Sequence, residues 1–253
     1  MNLPFLPTSR RLASGRFQAS PALQTDVFAP ILPGQHDGIA SLDRSIRLLR
    51  GLAASGIQKV VGTLPVMSHF YQNTSESVLE TVQLVRNQLQ TDRIPIQLIP
   101  AAEYYVDRGL MRLLYNQSPL LTFGDRTGRQ YLLFDTGLVK APPELENVLW
   151  AFRCLNITPI MAHPEQYLYL QKDPDYLFRL QEQGVLFQVH LLSLLGKPTV
   201  ASRQLAEWMI DRGLVSFLGS GLAQEFQIPL IGHAMSLPHY YKALEMGVRN
   251  ALI

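Results

Sequence analysis

The sequence predicts an α/β fold, a distorted (β/α)7 TIM-like barrel, and three observations predict it. From residue 24 onward, short apolar or β-branched runs alternate with segments of helical period, the pattern of a parallel sheet wrapped by helices. Glu103, Asp135 and His163 recur at the ends of those apolar runs, where a parallel barrel gathers its functional side chains. A chain of 253 residues with 47% hydrophobic residues can fill one such barrel, so residues 23–253 are expected to form a single domain after an arm over 1–22.

The first clear unit opens with Ser41 as helix N-cap and carries Leu42, Ile46 and Leu49 on one face. It stops at Ser55-Gly56 and continues as a strand over 57–63. In the second unit Thr74 opens a helix whose apolar face is Val78, Val82, Val85 and Leu89, and a strand over 94–100 follows, ending near Glu103. Residues 110–115 read as a short helix, 123–128 as a turn cluster, and 131–134 as the strand that leads into Asp135. A helix over 145–155 and a strand over 158–162 put His163 directly after a strand end. Segments 176–183, 185–189, 203–212, 215–219 and a last helix over 238–251 complete about seven units.

Composition narrows the function classes. A formal charge of +2, with basic residues scattered rather than striped, argues against nucleic acid as a partner. The lone Cys154 rules out an internal disulfide and a cysteine zinc site; it is expected to be a small buried residue in a protein of the reducing cytoplasm. No apolar run has the length of a transmembrane segment. The arm carries Arg10, Arg11 and Arg16 with no acid before Asp26, and reads as a flexible basic segment, with an electrostatic tether to an acidic membrane as the sharper alternative.

Two carboxylates and an imidazole that meet at a barrel mouth can supply oxygen and nitrogen ligands to Mn, Fe or Zn and leave positions open for water or a phosphate oxygen. Spacing alone equally allows Glu103, Asp135 and His163 to be capping or ion-paired loop residues. If no cation is bound, the two carboxylates repel, so one holds a proton or a charged His163 bridges them. His190, inside an apolar run, reads as a hydrogen-bonded core histidine, while His69, His233 and His239 carry no specific signal. The stretch Leu195-Gly196-Lys197-Pro198-Thr199 is not a phosphate loop, because Leu191 stands where the first glycine is needed.

The segment Ile31-Leu32-Pro33-Gly34-Gln35-His36-Asp37-Gly38 resembles the opening of the bacterial protein-tyrosine phosphatases of the PHP (polymerase and histidinol phosphatase) superfamily, found with capsule and exopolysaccharide genes. The likeness recurs in order at Ser68 to Thr74, Ala101-Ala102-Glu103-Tyr104-Tyr105, Leu120 to Asp125, Leu145-Glu146-Asn147-Val148, Ala162-His163-Pro164-Glu165 and Gly184 to Gln188. It covers residues 24 to at least 223.

The resemblance implies a barrel with a three-ion site, and this chain departs from the pattern. The His-x-His pair of the first strand falls on Phe28 and Pro30, the histidine of Thr-Pro-His on Pro65, and the final Asp-x-His pair on Gly221 and Ala223. Asp37, Glu103, Asp135 (a glutamate in the pattern) and His163 survive as candidate metal ligands, the last three matching the ligands of one ion, and His36 is a possible substitute ligand. The arginine that follows His-Pro-Glu is Gln166 here, a candidate substrate contact together with Tyr71 and Tyr104; Tyr105, Tyr167 and Tyr169 also flank the surviving ligands. The expectation is a phosphatase homologue of capsule or exopolysaccharide regulation, inactive or severely impaired, with no cofactor or one divalent metal. The binding partner the resemblance implies is a tyrosine-kinase tail or phosphotyrosine peptide. The alternative is a residual single-metal phosphoesterase using Glu103, Asp135 and His163.

Overall fold

Alternating side chains in short apolar strands give a sheet two buried faces, one for the barrel interior and one for the surrounding helices. The computed structural model describes residues 23–34 and 41–253. The described elements run β1 (Thr25–Ala29), α1 (Leu42–Ala54), β2 (Lys59–Met67), β3 (Tyr71–Gln72), α2 (Ser75–Thr91), β4 (Gln97–Tyr105), α3 (Arg108–Tyr115), β5 (Phe123–Gly124) and β6 (Gln130–Asp135). They continue with α4 (Leu145–Cys154), β7 (Ile157–Ala162), α5 (Leu168–Lys172), α6 (Tyr176–Glu182), β8 (Leu186–His190), α7 (Val200–Asp211), β9 (Val215–Gly219), α8 (Ile228–Ala234) and α9 (Pro238–Glu245), with short 3-10 turns between. Strands pair in parallel in the order β1-β2-β4-β6-β7-β8-β9, and β3 and β5 add antiparallel edges to β2 and β6.

The helices begin where the caps direct. Ser41 accepts from the Arg44 amide at α1, Thr74 forms a capping box with Ser77 at α2, Asp107 accepts from Leu110 at α3, and Thr199 accepts from Ser202 at α7. Val78, Val82, Val85 and Leu89 form the buried face of α2 as the spacing predicts. Inside the barrel Val61, Ala101, Tyr131, Leu133, Ile160, Ala162 and Phe217 make one apolar cluster; Val60, Leu98, Ala102, Tyr104, Leu132, Phe134, Met161, Phe187 and Val189 belong to the larger cluster against the helices.

The barrel is closed between β9 and β1 mainly by side chains, with one backbone bond just past β9, rather than by a strand ladder. Asn250 accepts from Leu218 N at 2.9 Å and donates to Thr25 O at 2.8 Å and Leu218 O at 2.7 Å. Ser220 N donates to Asp26 Oδ1 at 2.8 Å, and Gly221 N to Phe28 O at 3.0 Å. A Cβ at Gly219 would lie 2.6 Å from Phe28 Cβ, so the two strands approach this closely only with glycine there.

Several expected boundaries move. The strand expected to stop at residue 63 continues through Pro65 to Met67, and β4 runs on to Tyr105, because β2 and β4 stay in register from Lys59↔Gln97 to Val66↔Tyr104. Glu103 therefore lies inside a strand rather than beyond its end. Part of the expected turn cluster over 123–128 pairs as β5, and the last helix breaks at Met246-Gly247, Gly247 having φ +86°. Cys154 is exposed rather than buried, since as the last residue of α4 it lies off that helix's buried face of Leu145, Val148, Leu149 and Phe152. The basic arm over 1–22, His36 and Asp37 lie outside the described residues.

Candidate functional site

Three neighbouring strands build the site. Glu103 points into the barrel from β4, Asp135 ends β6, and His163 follows β7. Glu103 pairs with Leu133, so Asp135 lies two residues further toward the C-terminal end of the neighbouring strand and on the same face. His163 Nε2 lies 3.0 Å from Glu103 Oε1 and 3.6 Å from Asp135 Oδ2, and one donor atom from each of the three residues falls within 4.8 Å of the others. His163 adopts a left-handed backbone, φ 38°, which costs a non-glycine residue about 1 kcal/mol. Its amide donates to Gln188 Oε1 at 3.2 Å and its carbonyl accepts from Gln166 N at 3.0 Å, which hold that conformation.

Electrostatics bind the triad together. Burial alone would lower the His163 pKa, but the hydrogen bond to Glu103 and the charges of Asp135, Glu103 and Glu165 outweigh it and raise it to about 9. Burial pushes Glu103 up against the opposing pull of His163, so the pair holds its proton tightly. Of the two metal-free arrangements the residues allow, a protonated carboxylate or a charged His163 between the two, the raised His163 pKa favours the second. The donor set of one nitrogen and two carboxylates also fits a single Mn, Fe or Zn ion in place of that proton. The fit lacks one customary support: His163 Nδ1 is buried with no partner among the described residues, whereas a ligating histidine normally donates its second nitrogen to a brace.

The remaining candidates divide. Phe28 packs its ring edge-on to His163 at 5.5 Å and tilted against His190 at 4.9 Å. Pro30 is half-buried just past β1, and Pro65 pairs with Glu103 in the sheet. Gly221, φ +61°, lets the His190 ring sit where a Cβ would be 2.6 Å from Nδ1, and Ala223 N donates to Gln227 Oε1. None of these side chains carries a nitrogen or oxygen donor. Gln166 Nε2 meets His190 Nδ1 at 2.9 Å, so His190 is the hydrogen-bonded histidine expected of it.

Tyr104 is a correction. Alternation turns it away from Glu103 into the helix-facing core, 2% exposed, and its hydroxyl accepts from Leu121 N at 2.8 Å. Tyr71 and Tyr104 both line a cleft of about 220 Å³ with Met67 and Asp107, and none of the triad residues is in its lining. The tyrosine that shares the inward face of Glu103 is Tyr105, its phenol raised by burial and by the charges of Asp135 and Asp107. Tyr167 donates to Ala162 O, and Tyr169 pairs with Thr136.

Sequence reasoning gave no role to two buried supports. Gln188 holds His163, and Glu165 accepts from Ser193 Oγ at 2.6 Å and His190 N at 3.2 Å. The available signal was period-two alternation in β8, which puts Gln188 between Phe187 and Val189 on the barrel side.

The family model of CpsB/CapC, capsular polysaccharide synthesis, matches residues 24–235. The chain belongs to this family. Among its relatives, the tyrosine-protein phosphatase YwqE of Bacillus subtilis (strain 168) is 24% identical over 198 residues, 77% of this chain and 75% of YwqE. The putative tyrosine-protein phosphatase CapC of Staphylococcus aureus is 25% identical over 229 residues, 89% of this chain and 88% of CapC. A solved structure from a study of B. subtilis YwqE and Streptococcus pneumoniae CpsB, described as metal-dependent tyrosine phosphatases, superposes with a TM-score of 0.73. It is 22% identical and covers 89% of this chain and 94% of its own. The distorted barrel is thus the PHP fold of this CpsB/CapC family.

Proposed function

We propose that this CpsB/CapC chain is a binding member of its family: it engages phosphotyrosine segments, such as a tyrosine-kinase tail in the cytoplasm, and turns them over slowly or not at all. The observation that carries this reading is the Phe28 ring, which closes one flank of His163 with a group that offers no donor atom. Hydrolysis by a cluster of ions needs donors all around it, because the ions bind phosphate, lower the pKa of the attacking water and offset charge on the leaving oxygen. Phe28, Pro30, Pro65, Gly221 and Ala223 supply none.

Glu103, Asp135 and His163 are the residues that would hold one divalent ion, Mn, Fe or Zn, and when bound it would supply a Lewis acid to a phosphate oxygen. Around it, Gln166 gives a phosphate a neutral amide already shared with His190, in place of a guanidinium fork. Tyr105, beside Asp135, offers the aromatic contact for a phosphotyrosine ring. The second reading, a residual single-metal phosphoesterase, is favoured by the close grouping of the three donors.

Metal analysis together with a phosphotyrosine-peptide assay in added manganese tests the proposal, and no metal with no turnover counts against the second reading. The expected result is no more than one ion per chain, retained peptide binding, and turnover at least about a thousandfold below that of YwqE, as losing several kcal/mol of transition-state stabilisation requires. Manganese-dependent turnover at a rate comparable with YwqE, and abolished by His163→Ala, overturns the binding-only reading.

A further inference from the structure

Far from the triad, at the N-terminal ends of β6, β7 and β8, the fold opens a groove of about 710 Å³. Arg129 stands just before β6, Arg153 in the last turn of α4 and Arg249 in the C-terminal 3-10 turn, and all three line it. Asn156, Thr158 and Gln183 supply the other polar side chains on which the argument rests, and no carboxylate is in the lining. None of the three arginines takes part in an ion pair among the described residues.

Two carboxylates lie nearby, and neither lines the groove or forms an ion pair with its arginines among the described residues. Asp125 has Oδ1 engaged by Thr127 N, Thr127 Oγ1 and Arg129 N, and Oδ2 by Tyr131 at 2.6 Å. Glu182 sits between the lining residues Gln181 and Gln183 but is exposed and outside the lining. A guanidinium binds phosphate oxygens through paired donors, and three lining one concavity leave a positive potential, reduced but not cancelled by Asp125 beside Arg129, that a bound anion offsets. The volume suits a small molecule rather than a bare ion, and a concave wall is not the shape for a flat membrane surface.

We propose that this groove is an anion-binding site for a small molecule carrying a diphosphate or paired phosphates, gripped by Arg129, Arg153 and Arg249 and oriented by Asn156, Thr158 and Gln183. It is separate from the triad: Arg129 precedes the first residue of β6 and Asp135 is its last, a separation of roughly 20 Å at about 3.3 Å per residue. It is also independent of the catalytic state of the mouth. The arginines come from three distant stretches of chain, which is why the sequence shows scattered charge rather than a stripe.

The test is calorimetric titration of the full chain with inorganic pyrophosphate in the presence of a chelator. Under those conditions the acidic mouth repels the probe. Saturable one-site binding is expected, weakened at least about fivefold by Arg129→Gln with Arg153→Gln, both exposed positions, and less by the Lys versions, which keep charge but lose the fork. Circular dichroism checks that the variants fold. Absence of saturable binding, or binding unchanged in the Gln double variant, overturns the proposal. So does binding to phosphatidylserine vesicles that needs the same arginines and is not displaced by pyrophosphate, which would make the face a membrane contact.

Discussion

At the C-terminal end of the barrel Glu103 and Asp135 are drawn in around His163, whereas at the N-terminal end Arg129, Arg153 and Arg249 line an open groove with no carboxylate in its wall. The difference lies in solvation. Charges at the mouth are largely removed from water, so each must be matched, by the imidazolium or by a metal ion, for the chain to fold. Arg129 and Arg153 remain exposed, so folding does not require their neutralisation and binding can supply it. The first arrangement is part of the structure; the second is a surface prepared for something else.

Removing the central charge at the mouth should give the largest effect. In chelator, His163→Ala leaves two neighbouring carboxylates without their cation, so that one must take up a proton to be buried, and urea unfolding at pH 7 should report a loss of about 3 to 5 kcal/mol. The sign with pH follows: the His163 pKa is held at about 9, so its stabilisation is complete below the unfolded value of 6.5 and fades as pH rises through 9. A loss below about 1 kcal/mol would mean that the buried pair contributes nothing, and the contrast between the two ends would fail.

The seam between β9 and β1 holds another buried carboxylate, Asp26, with no ion-pair partner among the described residues. Asp26 Oδ1 accepts from Phe28 N at 3.1 Å and Ser220 N at 2.8 Å, while Oδ2 has no partner among the described residues. Burial raises its pKa from 3.8 to about 6, against the pull of those hydrogen bonds. The neutral acid therefore stabilises the fold fully below pH 3.8, and that contribution is lost as pH rises through 6. Asp26→Asn keeps an oxygen for the two amides and cannot ionise. Its stability relative to the parent should rise between pH 4 and pH 6, by up to about 3 kcal/mol for a displacement of about two pH units. A difference independent of pH in parallel denaturant titrations would show that Asp26 ionises freely in the folded protein.

How far the sequence reveals all this depends on whether the signal is local. Helix starts at Ser41 and Thr74 rest on a side chain and an amide three residues on, and the spacing of Val78, Val82, Val85 and Leu89 shows which face of α2 is buried; the cap at Thr199, four residues before the segment expected over 203–212, was missed. Glu103, Asp135 and His163 were legible as a group because parallel strands all end on the same side of a barrel. The end of β4 was not, since its last residues are held by partners on β2 and β6 rather than by any preference of their own. One residue of alternation then decided between Tyr104, which packs among helices, and Tyr105, which faces the mouth. Phe28, Gly221 and His190 are far apart in sequence, and only the closing of β9 toward β1 makes them neighbours.

The smallest expected effect is at the arginine groove, and its smallness is the point. If Arg129 and Arg153 were structural, replacing each by glutamine would remove an ion pair or strand a buried partner, and the cost would exceed about 1 kcal/mol. Both are exposed and neither is ion-paired among the described residues, so each change should alter unfolding free energy by less than about 0.5 kcal/mol in low salt. A slight gain is the more informative result, because guanidiniums sharing one concavity repel and dilution of their charge relieves that repulsion. Raising the salt concentration should erase such a gain by screening. A measured loss that persists in high salt would instead assign these side chains to packing, through their aliphatic stems, and would make both ends of the barrel alike.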